Sequence, residues 1–152
     1  VTGNLSEVVN SQALVHLRVP EGVSGNVSSL SGLGALQVFE GHGEYSGDLS
    51  QLPASLTQFI SLNGGTFTWT SRPTTSNIFS IGRLPNYQGK GVDLGNYLDT
   101  FLADIVNCTV PSSAPKINVV GVESASTPTL AAALKTKIGS SGMLIVNGVG
   151  YN

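Results

Sequence analysis

Three near-copies of one short phrase constrain this chain more than anything else in it. Thr2-Gly3-Asn4-Leu5-Ser6 returns as Ser24-Gly25-Asn26-Val27-Ser28 and as Ser46-Gly47-Asp48-Leu49-Ser50, so that Gly3, Gly25 and Gly47 are evenly spaced. Each copy is followed by an apolar, strand-like run: Leu14 to Val19, Leu36 to Phe39, Leu56 to Leu62. A fixed period of this length implies a solenoid, because one such unit cannot bury its own apolar side and must stack on its neighbours. The run starts Leu14, Leu36, Leu56 and Ile78 keep nearly the same interval as the glycines, so the plan persists into a fourth unit.

Within a unit the expected order is turn, short inward segment, strand. Gly and Asn tolerate positive φ, so the Ser-Gly-Asn phrases read as turns. Leu5, Val8 and Val9, then Val27, Leu30 and Leu33, then Leu49 and Leu52 would pack inward. In the run Ala13 to Val19, alternation turns Leu17 and Val19 one way and His16 and Arg18 the other. The third unit ends in the turn Asn63-Gly64-Gly65. In the fourth, Thr66-Phe67-Thr68-Trp69-Thr70 replaces the glycine phrase and Arg72-Pro73 opens a loop. Trp69 reads as a large filler for that layer, with ligand stacking as the alternative.

After Leu84-Pro85-Asn86 the style changes to helices. Leu94, Tyr97, Leu98, Phe101, Leu102, Ile105 and Val106 recur at helical spacing, with Asp93 as N-cap. A loop holding Pro111 and Pro115 leads to a strand from Lys116 to Val122. Thr127-Pro128 opens a second helix, with Leu130, Ala131, Leu134 and Ile138 as its buried stripe. Gly139 and Gly142 stop it, Met143 to Val146 is a closing strand, and Gly148 to Asn152 reads as a tail. The expectation is one α/β domain over 1–152, with units 1–22, 23–45, 46–65, 66–85, 86–122 and 123–152, the last a cap. Parallel strands joined by right-handed crossings would line one curved face.

Composition narrows the function classes. The chain carries a net charge of -2, and its Lys and Arg are scattered, so no basic run is present to neutralise phosphates. No apolar run approaches the roughly 20 residues a membrane span needs. Only 11% of residues are charged, and Ser, Thr and Asn are frequent, as on many extracellular and virion proteins. The chain opens at Val1, already in repeat phase and with no signal peptide, which reads as a processed product or a piece of a longer chain. Cys108, the single cysteine, permits no intrachain disulfide and reads as a small buried hydrophobe beside Val106 and Val110.

The runs Leu14-x-x-Leu17-x-Val19 and Ile117-x-x-Val120-x-Val122 match the Leu-x-x-Leu-x-Leu strand pattern of leucine-rich repeats. Leu36-x-x-Phe39, Leu56-x-x-Phe59 and Ile78-x-x-Ile81 meet it in part, and the Ser-Gly-Asn/Asp-Leu phrases resemble the family's convex turns. The chain thus resembles leucine-rich repeat proteins of the irregular bacterial and phage type. The resemblance implies a leucine-rich-repeat-like solenoid with a curved parallel sheet and a binding or structural surface on its concave face. By the family's geometry that face would carry His16, Arg18, Val38, Glu40, Gln58, Ile60, Ser80 and Val119, with Gly82 and Gly121 completing the rows.

Candidate chemistry is sparse. Glu40, His42 and Glu44 alternate and could share a face suited to a metal, but the glycines between them favour a loosened turn. Asp93, Asp99 and Asp104 are scattered around the first helix, unlike a glycosidase carboxylate pair. His16 and His42 are the only histidines and no nucleophile elbow accompanies them. Gly89-Lys90-Gly91 lacks the rest of a phosphate loop. The acceptor triplets at Asn4, Asn26 and Asn107 carry little information, the first two being products of the repeat. No cofactor and no metal are expected. The leading expectation is a non-enzymatic module of a virion or tail fibre, engaging a host-surface protein or glycan or another virion protein. A bacterial surface or secreted adhesin is the alternative, and a polysaccharide-acting enzyme a distant third. Homo-oligomers are in keeping with an uncapped first repeat.

Overall fold

The computed structural model describes residues 2–7, 11–62, 65–82 and 91–152. Val8 and Val9, the turn at Asn63-Gly64, Leu84-Pro85-Asn86 and the Gly89-Lys90 step lie outside the described residues. The architecture is α/β: a curled, parallel sheet forming a half-barrel, with two helices, in a solenoid-like stack.

Each early coil contributes two strands, not one. β2 (His16–Val19), β4 (Val38–Gly41), β6 (Gln58–Ser61) and β8 (Ser80–Gly82) form one parallel ladder. β1 (Gly3–Asn4), β3 (Val23–Asn26), β5 (Tyr45–Asp48), β7 (Gly65–Thr68) and β9 (Val92–Asp93) form a second. The Ser-Gly-Asn phrases expected as turns are therefore strands, because the neighbouring coil offers partners for their backbone N–H and C=O groups. Short 3-10 turns follow at Leu5–Glu7, Val27–Leu30 and Leu49–Gln51. The two ladders merge on β10 (Lys116–Val120), where Ile117 pairs with Ile81 of β8 and Val119 with Val92 of β9. β11 (Met143–Val146) continues the first ladder on the far side of β10.

The glycine phrase has a packing cause. Sequence-equivalent strands of the second ladder are staggered, so Asn26 pairs with Ser46 and its side chain meets the next glycine, Gly47. A Cβ on Gly47 would lie 2.2 Å from Asn26 Oδ1, and its φ of +112° is itself disfavoured for other residues. The space is needed because Asn26 Oδ1 accepts from Ser28 N at 2.9 Å, capping the 3-10 turn. Asn4 accepts from Ser6 N at 3.0 Å and Asp48 from Ser50 N at 2.9 Å in the same way. At the fourth coil Trp69 stands where the glycine would be, and Thr70 instead reaches back, its Oγ1 donating to Asp48 Oδ2 at 2.6 Å.

Side chains between the ladders build the core. The inward row runs Leu17, Phe39, Phe59, Ile81, Ile117, Leu144 in register. Phe39 and Phe59 stack at 5.3 Å, with Tyr45 edge-on to Phe39 at 5.4 Å and Phe67 edge-on to Phe59 at 5.7 Å. Trp69 is a core filler, 4.9 Å from Phe101 and donating from Nε1 to Asp104 Oδ2 at 2.8 Å.

α1 (Leu98–Ile105) begins later than its apolar spacing suggests, after a 3-10 turn at Gly95–Tyr97. Asp93, expected as the N-cap, ends β9 and accepts from Gly95 N at 2.8 Å, while the cap positions are Leu94 and Tyr97. α2 (Thr127–Ile138) starts at the expected Thr-Pro step, but Thr127 is already helical. Its hydroxyl donates to Asp99 Oδ1 of α1 at 2.6 Å, tying the helices together. The expected tail is instead a final strand, β12 (Val149–Tyr151), antiparallel to β11. Asn147 and Gly148 have φ of 50° and 81°, the two positive values a tight hairpin requires.

Candidate functional site

The outward residues of the first ladder form two rows. One runs His16, Val38, Gln58, Ser80 and the other Arg18, Glu40, Ile60, Gly82, each set paired strand to strand. His16, Arg18, Val38, Glu40, Gln58, Ile60 and Ser80, assigned to this face from sequence, thus stand together, about 4.8 Å from strand to strand. Val119 does not. It is fully buried in the core and pairs with Val92 of the second ladder. The leucine pattern sits earlier on this strand than its apolar spacing suggests, because Ile117 is the counterpart of Leu17 rather than of Leu14. Lys116 and Asn118, not Val119 and Gly121, therefore continue the rows.

Burial grades the face. His16 and Arg18 are exposed, Val38, Glu40, Gln58 and Ser80 are half-buried, and Ile60 is only 4% exposed. Arg18 Nε meets Glu40 Oε2 at 3.1 Å, an ion pair whose Arg side chain is 73% exposed. Such a pair contributes about 0–1 kcal/mol, so it orders the rim more than it stabilises the fold.

Two recesses open along this side. One, of about 370 Å³, lies at the strand ends between Arg18, Pro20, Glu21 and His42. The other, of about 220 Å³, sits at the starts of β6, β8 and β10, lined by Thr57, Gln58, Ser80, Ser113, Ala114 and Lys116. Lys116 N donates to Ser80 Oγ at 3.0 Å, which fixes that hydroxyl. Ser113 and Ala114 come from the loop between Pro111 and Pro115, whose rings fix φ at both ends. Sequence reasoning missed Ser113 and Lys116. The signal was the proline pair leading straight into a strand aligned with the leucine row.

The remaining candidates either are not brought together or are held by neighbours within the fold. β4 ends at Gly41, so Glu40, His42 and Glu44 do not continue one extended face; among the described residues no group of three His, Cys, Asp or Glu is placed to hold a metal. Tyr45 has its pKa raised by burial, partly offset by backbone hydrogen bonds from Gly43 and His42. Asp99 accepts from Ser124 and Thr127, and Asp104 from Trp69 and the backbone of Arg72. Cys108 is buried with its thiol pKa pushed up by that burial. Arg72, read from sequence only as a loop residue, is a clamp. Its guanidinium donates to Leu52 O at 2.6 Å, Pro53 O at 2.8 Å and Asn77 O at 3.1 Å, and lies 4.8 Å from the Phe79 ring centre. Burial lowers its pKa to about 10, with Cys108 and Asp104 acting in the opposite sense.

No protein-family model matches the chain, and comparison with curated proteins and with solved structures gave no significant match. Among the described residues no helix is long and apolar enough to cross a membrane.

Proposed function

We propose that this chain is a leucine-rich-repeat-like, non-enzymatic binding or structural module that presents its strand-side rows to a partner. The observation that carries the reading is register: His16, Val38, Gln58 and Ser80 are paired in sequence across four parallel strands, with Arg18, Glu40 and Ile60 beside them. An ordered row of contact residues on a stacked scaffold costs little entropy on binding, because the strands already hold the side chains in place. The partner is a host-surface glycan or protein, or another protein of a virion or tail fibre. Placement on a particle follows the sequence resemblance and the sparsely charged, Ser/Thr/Asn-rich composition. The same rows would serve an adhesin on a bacterial surface.

A panel of surface polysaccharides and purified particle proteins tests this, using wild type, a His16→Ala/Gln58→Ala variant and a Lys137→Gln variant on the exposed side of α2. The reading expects a partner whose binding falls at least tenfold in the row variant and is unchanged in Lys137→Gln. Binding that depends on the α2 side alone, or turnover of a polysaccharide, would overturn it.

A further inference from the structure

The 220 Å³ recess differs from the rest of the strand side in its chemistry. Arg18 is paired with Glu40, Arg72 is buried on backbone carbonyls, and Lys135 donates to Gly139 O and Gly142 O, each at 2.8 Å. Lys116 is exposed, and none of the residues lining its recess is acidic. Ser80 Oγ accepts from Lys116 N at 3.0 Å, which leaves its own proton to donate. Thr57 Oγ1 donates to Gln37 O at 3.1 Å, which leaves its lone pairs to accept. Ser113 and Ala114, from the proline-flanked loop, complete the lining. A lysine, three hydroxyl residues, the Gln58 amide and an alanine therefore line a space smaller than the roughly 300–1,000 Å³ of drug-sized sites.

We infer that this recess is a subsite for one acidic sugar ring, Lys116 holding its carboxylate or sulfate while Ser80, Ser113 and Thr57 bond its hydroxyls. The inference rests on the strand-side reading above and names the ligand class for it. Sugar hydroxyls both donate and accept, which the Ser80 and Thr57 pair can answer in one orientation. The C–H face of the ring fits against Ala114. A charge-assisted hydrogen bond is about twice as strong as a neutral one, so the acidic group sets the preference. The proline-flanked loop keeps the rim in place before binding.

Amide NMR titrations with D-glucuronate, D-glucose and inorganic sulfate, on wild type and Lys116→Gln, test it. Lys116 meets Ser80 through its backbone N–H, which the substitution keeps, so the variant is expected to give a wild-type spectrum away from the recess. Glucuronate should shift the amides of Gln58, Ser80, Ser113 and Lys116. Its affinity should exceed that of glucose by about tenfold, fall about tenfold in Lys116→Gln, and weaken with added salt. Equal binding of sulfate and glucuronate would overturn the sugar assignment and leave an anion site. Shifts confined to the His16 and Arg18 end would overturn this inference and spare the strand-side reading. Shifts confined to the α2 side would sink both, and no shift with any probe would overturn the inference.

Discussion

The early coils and the helical units solve the same packing problem with different parts. Up to Ser61, each coil closes its outer side with a second strand and a 3-10 turn held by an Asn or Asp side chain. Beyond Gly91 the outer side is closed by α1 and α2, joined through Thr127 and Asp99. Along the first ladder the inward row Leu17, Phe39, Phe59 and Ile81 recurs at nearly constant intervals through the coils. Ile117 and Leu144 then follow at longer intervals, the step that carries α1 being the longest. All of that extra chain lies between ladder strands, and the ladder itself runs on without a break. The strand side is therefore one surface built over two kinds of support, and the 220 Å³ recess falls on the seam, with Gln58 and Ser80 from one half and Ser113 and Lys116 from the other.

Removing a ring from the core should have the largest effect. Phe59→Ala and Phe101→Ala, one from each half, are both fully buried and should each cost about 3–5 kcal/mol. If the halves form one stack, each variant lowers a single shared melting transition; two resolved transitions would separate them. Arg72→Leu comes next, because it leaves the carbonyls of Leu52 and Pro53 without their donor. Chemical denaturation should show a loss of about 2–4 kcal/mol. Gly47→Ala should lose about 2–3 kcal/mol, from an unfavourable φ and a displaced Asn26 cap, and it acts only on the coil half.

The smallest effect is a pH dependence. Burial by itself would raise the Asp48 carboxyl, but hydrogen bonds from Ser50 and Thr70 outweigh it and hold its pKa below the usual range. Because the folded-state value is depressed, this contribution is present above the unfolded value of about 3.9 and is lost as pH falls through and below it. Asp48→Asn should flatten the acid limb of the stability curve, measured by urea midpoints at several pH values. An unchanged slope would remove Asp48 from the account.

How much of this could be read from the residues follows from what each signal encodes. Apolar alternation reports strands, so the first ladder was legible, though its strands begin slightly after Leu14, Leu36, Leu56 and Ile78. Met143 to Val146 and the Thr127 helix start were legible too, from an apolar run and a Thr-Pro step. The second ladder was not, because Gly and Asn in Ser24-Gly25-Asn26 advertise positive φ and capping, both true, and neither reveals that the next coil offers a pairing edge. Asn147-Gly148 carried a hairpin signal, and it was hidden by its place near the chain end. Val119 is misplaced by sequence since Ile117 satisfies two positions of the leucine pattern equally well, and only its pairing with Ile81 decides between them. The recess needed residues from three strands and a loop, a juxtaposition no local pattern contains.

Amide hydrogen exchange resolved by residue tests most directly whether the two halves form one stack. In a single stack, core amides of β4, β6, β10 and β11 share one opening free energy and respond together to Phe59→Ala. Exchange of β10 and β11 that is unmoved by that substitution would contradict it, leaving the helical units and the coils as separate bodies without a common surface.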